Sequence, residues 1–222
     1  MARIARVVAV DYPHHVTQRG NRRQRTFFNQ SDYQHYFDLL VGAKHNASVE
    51  VWAYCFMPNH VHLIVVPRLK DSLSQFFGEA HRRYTLFINQ REGWKGHLWQ
   101  ERFHSFVMDE EYLRAAVRYT ELNPVRAGLC HSALDWKWSS ALAHIQRQDD
   151  GLVSVKPMLD RIADWQSYLG TIEQEEVVDA IRVHSRTGRP SGDNEFVSAL
   201  ESLMERPLKR RKPGPPKASE LS

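Results

Sequence analysis

Apolar residues recur along this chain with two periods, and the order of those periods predicts its elements. Val7 to Thr17 is rich in valine and predicts a first strand, which the basic loop Arg19-Gly20-Asn21-Arg22-Arg23 ends. Tyr33, Tyr36, Phe37 and Leu40 repeat at helical spacing, and Ser31 with Gln34 forms a capping-box pattern that opens the helix. Val49 to Phe56 alternates as a second strand. Pro58-Asn59 makes a turn, and His60 to Val66 is a third strand, hairpin-paired with the second. Leu73, Phe76, Phe77, Ala80, Tyr84, Phe87 and Ile88 form the apolar face of a helix running from Leu73 to Asn89, with His81, Arg82 and Arg83 opposite. Phe103 to Met108 predicts a short fourth strand. Asp109 then caps a third helix that reaches Leu122, with Glu110 and Glu111 in its first turn and Pro124 as its stop.

Strand, helix, strand, strand, helix, strand, helix is the order of an α+β, ferredoxin-like split βαβ fold. It predicts a four-stranded antiparallel sheet with two helices on one face, plus the further helix that carries Tyr119. Beyond Ser139 the pattern is helical only, with helices expected over 139–147, 157–169, 171–184 (Thr171 and Gln174 as caps) and 194–205. The division expected is a mixed domain over 1–145, a helical extension over 146–206 and a basic, proline-rich disordered tail over 207–222.

Composition narrows the class. With two cysteines in 222 residues, Cys55 and Cys130, the chain is not a disulfide scaffold. No apolar run reaches the roughly 20 residues of a membrane span, and the N-terminus lacks a secretory pattern. A cytoplasmic protein is expected. The net charge of +4 is unevenly placed. Arg3, Arg6, Arg19, Arg22, Arg23 and Arg25 face a lone Asp11 in residues 1–25, and Arg206, Lys209, Arg210, Arg211, Lys212 and Lys217 face no acid in 206–217. Basic blocks at both ends suit a polyanion, of which nucleic acid is the commonest inside a cell.

His60 and His62 are two residues apart on a predicted strand, so both imidazoles emerge on one face and Val61 points into the other. Two imidazoles supply two ligands to a divalent metal and leave its other positions open. A polar-facing strand with two incidental histidines is the plainer alternative. Tyr112, Ala116, Tyr119 and Asn123 fall at helical spacing, so one face presents Tyr119 and Asn123 together. A phenol with an unperturbed pKa near ~10 is a weak nucleophile. A neighbouring divalent cation helps by polarising a phosphate and stabilising charge on the transition state.

Pro58-Asn59-His60-Val61-His62-Leu63, Leu98-Trp99-Gln100-Glu101-Arg102-Phe103, and Tyr119 through Gly128 resemble the motifs of the single-tyrosine HUH transposases. Within them the chain most resembles the bacterial REP-associated tyrosine transposases, and His15-Val16-Thr17-Gln18-Arg19-Gly20-Asn21 is similar to the same group. The resemblance spans residues 5–145 and makes 1–145 the nuclease domain. It implies a Mg2+- or Mn2+-dependent enzyme that cleaves and rejoins single-stranded DNA near a palindromic hairpin. His60 and His62 would ligate the metal, and Tyr119 would attack the phosphate to leave a 5′-phosphotyrosine and a free 3′-OH. Asn123 stands where some relatives carry a glutamine ligand, and Tyr112 is the competing nucleophile. Arg19, Asn21, Arg22, Arg23, Arg82 and Arg83 are the DNA-contact candidates.

Trp99 and Phe103 are readable as base-stacking rings but better as core. Gly188-Arg189-Pro190 has the residues of a minor-groove hook. The resemblance leaves a monomer and a homodimer both open and places the protein with nucleoid DNA. Two rival readings stand beside it. One is a DNA-binding protein of the same fold that does not cleave. The other is a metal-free two-histidine phosphoesterase acting on RNA, for which His15-Val16-Thr17 supplies one motif while His62 stands where Thr or Ser is needed.

Overall fold

The computed structural model describes residues 5–171 and 175–209. Arg3, the Gln174 cap and the tail charges from Arg210 onward lie outside the described residues. Four strands, β1 (His14–Arg19), β2 (Val49–Met57), β3 (His60–Pro67) and β4 (His104–Val107), form one antiparallel sheet in the order β2-β3-β1-β4. This is the expected split βαβ arrangement, with β3 and β1 in the centre. Two helices, α1 (Gln30–Asn46) and α2 (Ser72–Glu92), connect the strands and cover one face.

Strand period decides which side chain meets which layer. Val61, Leu63 and Val65, with Val16 across from Leu63, are buried against Tyr36 and Leu40 of α1 and Phe76, Phe77 and Tyr84 of α2. Their neighbours His60, His62, Ile64 and Val66 therefore point to the opposite face. There Ile64, Val66 and Phe106 bury Leu113, Ala116, Val117 and Tyr119 of α3 (Glu110–Glu121). Trp99 and Phe103 are each 7% exposed and belong to the α1–α2 core, so neither presents a free ring to a base.

Several boundaries move from their sequence-based positions. The first strand starts at His14, not Val7. Asp11 turns the chain in the left-handed region (φ 65), and Val7 and Ala9 pack in a separate cluster. Asn29, not Ser31, caps α1 by accepting from Asp32 N at 3.0 Å. His81 does not lie on a solvent face. Its ring meets Trp99 at 4.8 Å and its Nε2 lies 2.9 Å from the Tyr36 hydroxyl. Asp109 caps α3 as expected, accepting from Tyr112 N at 2.9 Å. Pro124 does not end the helical path, because it occupies the first turn of α4 (Asn123–Arg126), where a missing N–H costs nothing.

Beyond α4 the chain forms α5 (Ala141–Gln146), α6 (Lys156–Leu159), α7 (Trp165–Gly170), α8 (Glu175–Thr187) and α9 (Asn194–Met204), so the helix expected over 157–169 is two short ones. This half also touches the sheet edges through isolated bridges, Val51 with Val153 and Met108 with Ser191. Trp165, Val178 and Ile181 join the α3 core, and Leu200 and Leu208 cover Val7 and Ala9. Gly188 and Pro190 are buried, and Arg189 donates to the Leu208 carbonyl. That triplet is an internal corner, and a hook that enters a groove requires an exposed one.

Candidate active site

The face of the sheet beneath α3 carries a row of polar side chains fixed by register. Thr17 pairs with His62 and Arg19 with His60, so these four share a face with His15, which pairs with Ile64. The His60 and His62 rings lie 4.9 Å apart. The His62 ring is 5.6 Å from the Tyr119 ring, and the His15 ring is 6.2 Å from it, both edge-on. The structure thus brings Tyr119 and the histidine pair together. Tyr112, two turns earlier on α3, packs against His184 of α8 with ring centroids 6.0 Å apart.

Hydrogen bonds set the protonation pattern of the imidazoles. Asn59 Nδ2 donates to the Arg23 carbonyl at 2.9 Å, which turns Asn59 Oδ1 toward His60 Nδ1 at 2.7 Å. An amide oxygen only accepts, so His60 Nδ1 carries the proton and Nε2 keeps its lone pair. His62 Nδ1 lies 2.9 Å from His15 Nε2 in a buried pair. In the tautomer where His62 Nδ1–H donates, its Nε2 lone pair is likewise left for a ligand. Burial, and then the neighbouring Arg19, pulls His60 down to about 3. Burial drives His62 well below its ordinary value, with His60, His15 and Arg126 adding to it, and burial alone takes His15 to about 3. All three are neutral at pH 7, the form that binds a cation.

The donor set fits a divalent metal. In these tautomers two neutral imidazoles, each held by its Nδ1, offer Nε2 on a common face, the arrangement in which an outer partner orients a ligating histidine. Among the described residues no group of three or more His, Cys, Asp or Glu is placed to hold a metal ion, so a cation here would have two imidazoles as its nitrogen donors. Asn123, one turn beyond Tyr119, is 9% exposed, and its Nδ2 has no hydrogen-bond partner among the described residues. No hydrogen bond joins it to either imidazole.

Cations surround the phenol. The Arg126 guanidinium lies 4.0 Å above the Tyr119 ring and also donates to the Tyr119 carbonyl. Arg182 of α8 is held above its ordinary value by its hydrogen bond to Asp179 first, with the Tyr119 side chain as a further partner. Arg19, exposed at the end of β1, is lowered by desolvation and by Arg23, against the opposing influence of Tyr119. Arg22 and Arg23 are exposed on the 3-10 turn Asn21–Arg23, whose backbone both enters the left-handed region (φ 53 and 62). Arg82 and Arg83 lie on α2, across the sheet from Tyr119, and both reach Glu79, at 3.0 and 4.0 Å.

A family described as Transposase IS200 like matches residues 9–123, from the approach to β1 through Asn123. The chain belongs to this family of transposases. A REP-associated tyrosine transposase of Escherichia coli (strain K12) is 26% identical over 121 residues, 54% of this chain and 70% of that protein. A putative REP-associated tyrosine transposase of Haemophilus influenzae is 28% identical over 102 residues, and the match spans 58% of that relative's length. A solved REP-associated tyrosine transposase bound to a REP hairpin aligns with a TM-score of 0.57 at 24% identity, covering 70% of this chain and 90% of its own, which establishes a shared fold.

The family match ends where α4 begins, yet side chains beyond it reach back to the tyrosine helix. Glu121, fully buried two residues after Tyr119, accepts from Ser140 Oγ at 2.6 Å and His144 Nδ1 at 2.7 Å on one oxygen and from Trp165 Nε1 at 2.9 Å on the other. His60, His62, Tyr119 and Asn123 are legible in the sequence as a metal-and-tyrosine site, whereas Asn59, His15, Arg126, Arg182 and Glu121 are not legible as parts of it. For Asn59 the one available signal is its place in the hairpin turn before His60. The others depend on register or on contacts across many residues and leave no local trace. Among the described residues no helix is long and apolar enough to cross a membrane.

Proposed function

We propose that this transposase-family protein is a divalent-metal-dependent endonuclease and strand transferase acting on single-stranded DNA beside a hairpin, with Tyr119 as nucleophile and His60 and His62 as metal ligands. One observation carries the reading: both imidazoles hydrogen-bond through Nδ1, so neither Nε2 is taken up by that partner, and His62 lies 5.6 Å from the Tyr119 ring. Asn123, on the turn after Tyr119, is the candidate further ligand through its amide oxygen. Bound there, Mg2+ or Mn2+ supplies Lewis-acid polarisation of the scissile phosphate.

The protein's own groups do the rest. Tyr119 Oη forms a bond to phosphorus in line with the departing 3′ oxygen. That P–O3′ bond breaks, the 3′ oxygen leaves as a hydroxyl carrying the proton the phenol gave up to solvent, and the 5′ phosphate stays on the tyrosine. Arg19 and Arg126 place positive charge where the phosphate gains negative charge. The phosphotyrosine keeps the energy of the broken linkage, so a second 3′-OH can reverse the step onto a new strand. The hairpin in the solved relative's complex supports a folded DNA partner for this chain too. Arg22 and Arg23, exposed beside the site, are its phosphate contacts, together with Asn21 and, across the sheet, Arg82 and Arg83.

The test is covalent capture. Protein incubated with Mn2+ and a hairpin oligonucleotide bearing a single-stranded flank is expected to yield a denaturation-resistant adduct with the downstream fragment. Tyr119→Phe abolishes the adduct and keeps DNA binding, Tyr112→Phe keeps both, and His60→Ala abolishes cleavage. An adduct that survives Tyr119→Phe moves the nucleophile elsewhere. Cleavage at an unchanged rate in His60→Ala refutes the metal site. Binding without any adduct in the wild type leaves the non-cleaving reading of the fold.

A further inference from the structure

Nearly every Phe, Tyr and Trp ring of this chain lies inside it. Among the described residues only Phe28 and Trp94 are exposed, at 37% and 43% of their surface. These two, far apart in sequence, meet: their ring centroids are 5.7 Å apart at 75°. Trp94 projects just after Gly93, which ends α2 in the left-handed conformation (φ 67). Phe28 ends the basic loop that follows β1. A solvent-exposed aromatic pair costs hydration free energy in the free protein, and a core explanation is absent because both rings lie at the rim.

The position of the pair gives it an occupant. Arg22, Arg23 and Arg25, all exposed on the loop leading to Phe28, make no ion pair among the described residues, and Lys95 follows Trp94. Arg91 lies 5.6 Å from the Phe28 ring, its charge shared with Asp32 and Glu92. The loop is also fastened to the turn that presents His60. Gly20 N donates to Asn59 O at 2.8 Å, Asn59 Nδ2 to Arg23 O at 2.9 Å, and Thr26 N to Pro58 O at 2.9 Å. Phe28 is two residues beyond that last bond, a reach of at most about 7 Å. A cationic path thus leads from the metal-ligand turn to the exposed rings.

We infer that Phe28 and Trp94 form a base-stacking platform for the single-stranded DNA flanking the cleaved phosphate, with Arg22, Arg23 and Arg25 on its backbone. Stacking on a ring face is open to any base, so the platform adds affinity for unpaired flank and little sequence preference. The inference rests on the proposed function and deepens it by naming where unpaired bases sit.

The experiment measures binding by fluorescence anisotropy in EDTA, using full-length protein and three oligonucleotides: a blunt hairpin, the hairpin with a single-stranded flank, and the same flank made abasic. Phe28→Ala, Trp94→Ala and the double variant are expected to weaken the flanked hairpin by about 5- to 100-fold per ring and to leave the blunt hairpin unchanged. The abasic flank should cost the wild type as much and the double variant nothing further. Equal weakening of blunt and flanked hairpins, or of neither, overturns the platform. So does a wild-type dimer in sedimentation that the variants dissolve, since the rings then meet a second copy. Wild type that binds no single-stranded flank overturns the platform and the proposed function together, whereas flank binding without any adduct overturns only the cleavage reading.

Discussion

At the scale of single residues, the local sequence points to the groups proposed to react but not to what aims them. His60 and His62 share a face because strand period demands it, and that much is readable from their spacing. His15 belongs to the site only because the β1–β3 register sets it diagonally across from His62. A partner that orients a ligating histidine is worth roughly 10- to 100-fold in metal affinity. His15→Ala is therefore expected to weaken Mn2+ binding by about that factor in calorimetric titration, with His60 still in place. Unchanged affinity would remove His15 from the site. Asn59→Ala should act on His60 in the same way, with an added loosening of the Arg23 loop that its Nδ2 holds.

Among elements, the tyrosine helix and the basic loop are each held by something distant. Glu121 collects donors from Ser140, His144 and Trp165, all outside the stretch that matches the family, so the C-terminal half anchors α3. Replacing Glu121 by Ala strands the buried Trp165 Nε1 donor and leaves Ser140 Oγ and His144 Nδ1 only the longer contacts to the Tyr54 and Ser140 carbonyls, at 3.3 and 3.2 Å, and a cost of about 3–5 kcal/mol in urea unfolding is expected. Trp165→Phe strands only the carboxylate's second oxygen and should cost less, about 1–3 kcal/mol. Gly20 has an ordinary φ of −61, yet a Cβ there would meet the Gln24 carbonyl at 2.4 Å and Thr26 Cγ2 at 2.7 Å. Gly20→Ala must push the Arg22–Arg23 turn away from Asn59. It is expected to lower DNA affinity at unchanged charge, measured against Gly78→Ala on α2, where a Cβ meets nothing. The sequence could not separate these glycines, because what differs is the backbone that passes close to one of them.

On the scale of the whole molecule, buried neutral histidines tie stability to pH. Burial lowers His14 to about 4, against its hydrogen bond to the Tyr12 carbonyl, and lowers His81 to about 3. Each has a folded value below the unfolded 6.5, so the unfolded chain binds the proton first as pH falls. Their contribution is fully present above pH 6.5 and is lost as pH falls from there toward 4 and 3, at about 1.4 kcal/mol per pH unit for each. Unfolding midpoints in urea should be flat from pH 8 to 7 and drop between pH 6 and 5, and the drop should shrink by only about a fifth in His81→Gln, because His14, His15, His60 and His62 are lowered by burial as well. The element order, the face shared by His60 and His62, and the helix that carries Tyr119 followed from the sequence alone, because hydrophobic period and turn chemistry are local properties of the chain. The contact between His15 and His62, the three donors on Glu121 and the meeting of Phe28 with Trp94 were decided only by tertiary structure. They join residues whose proximity comes from strand register and helix docking, and no local pattern encodes such long-range closure.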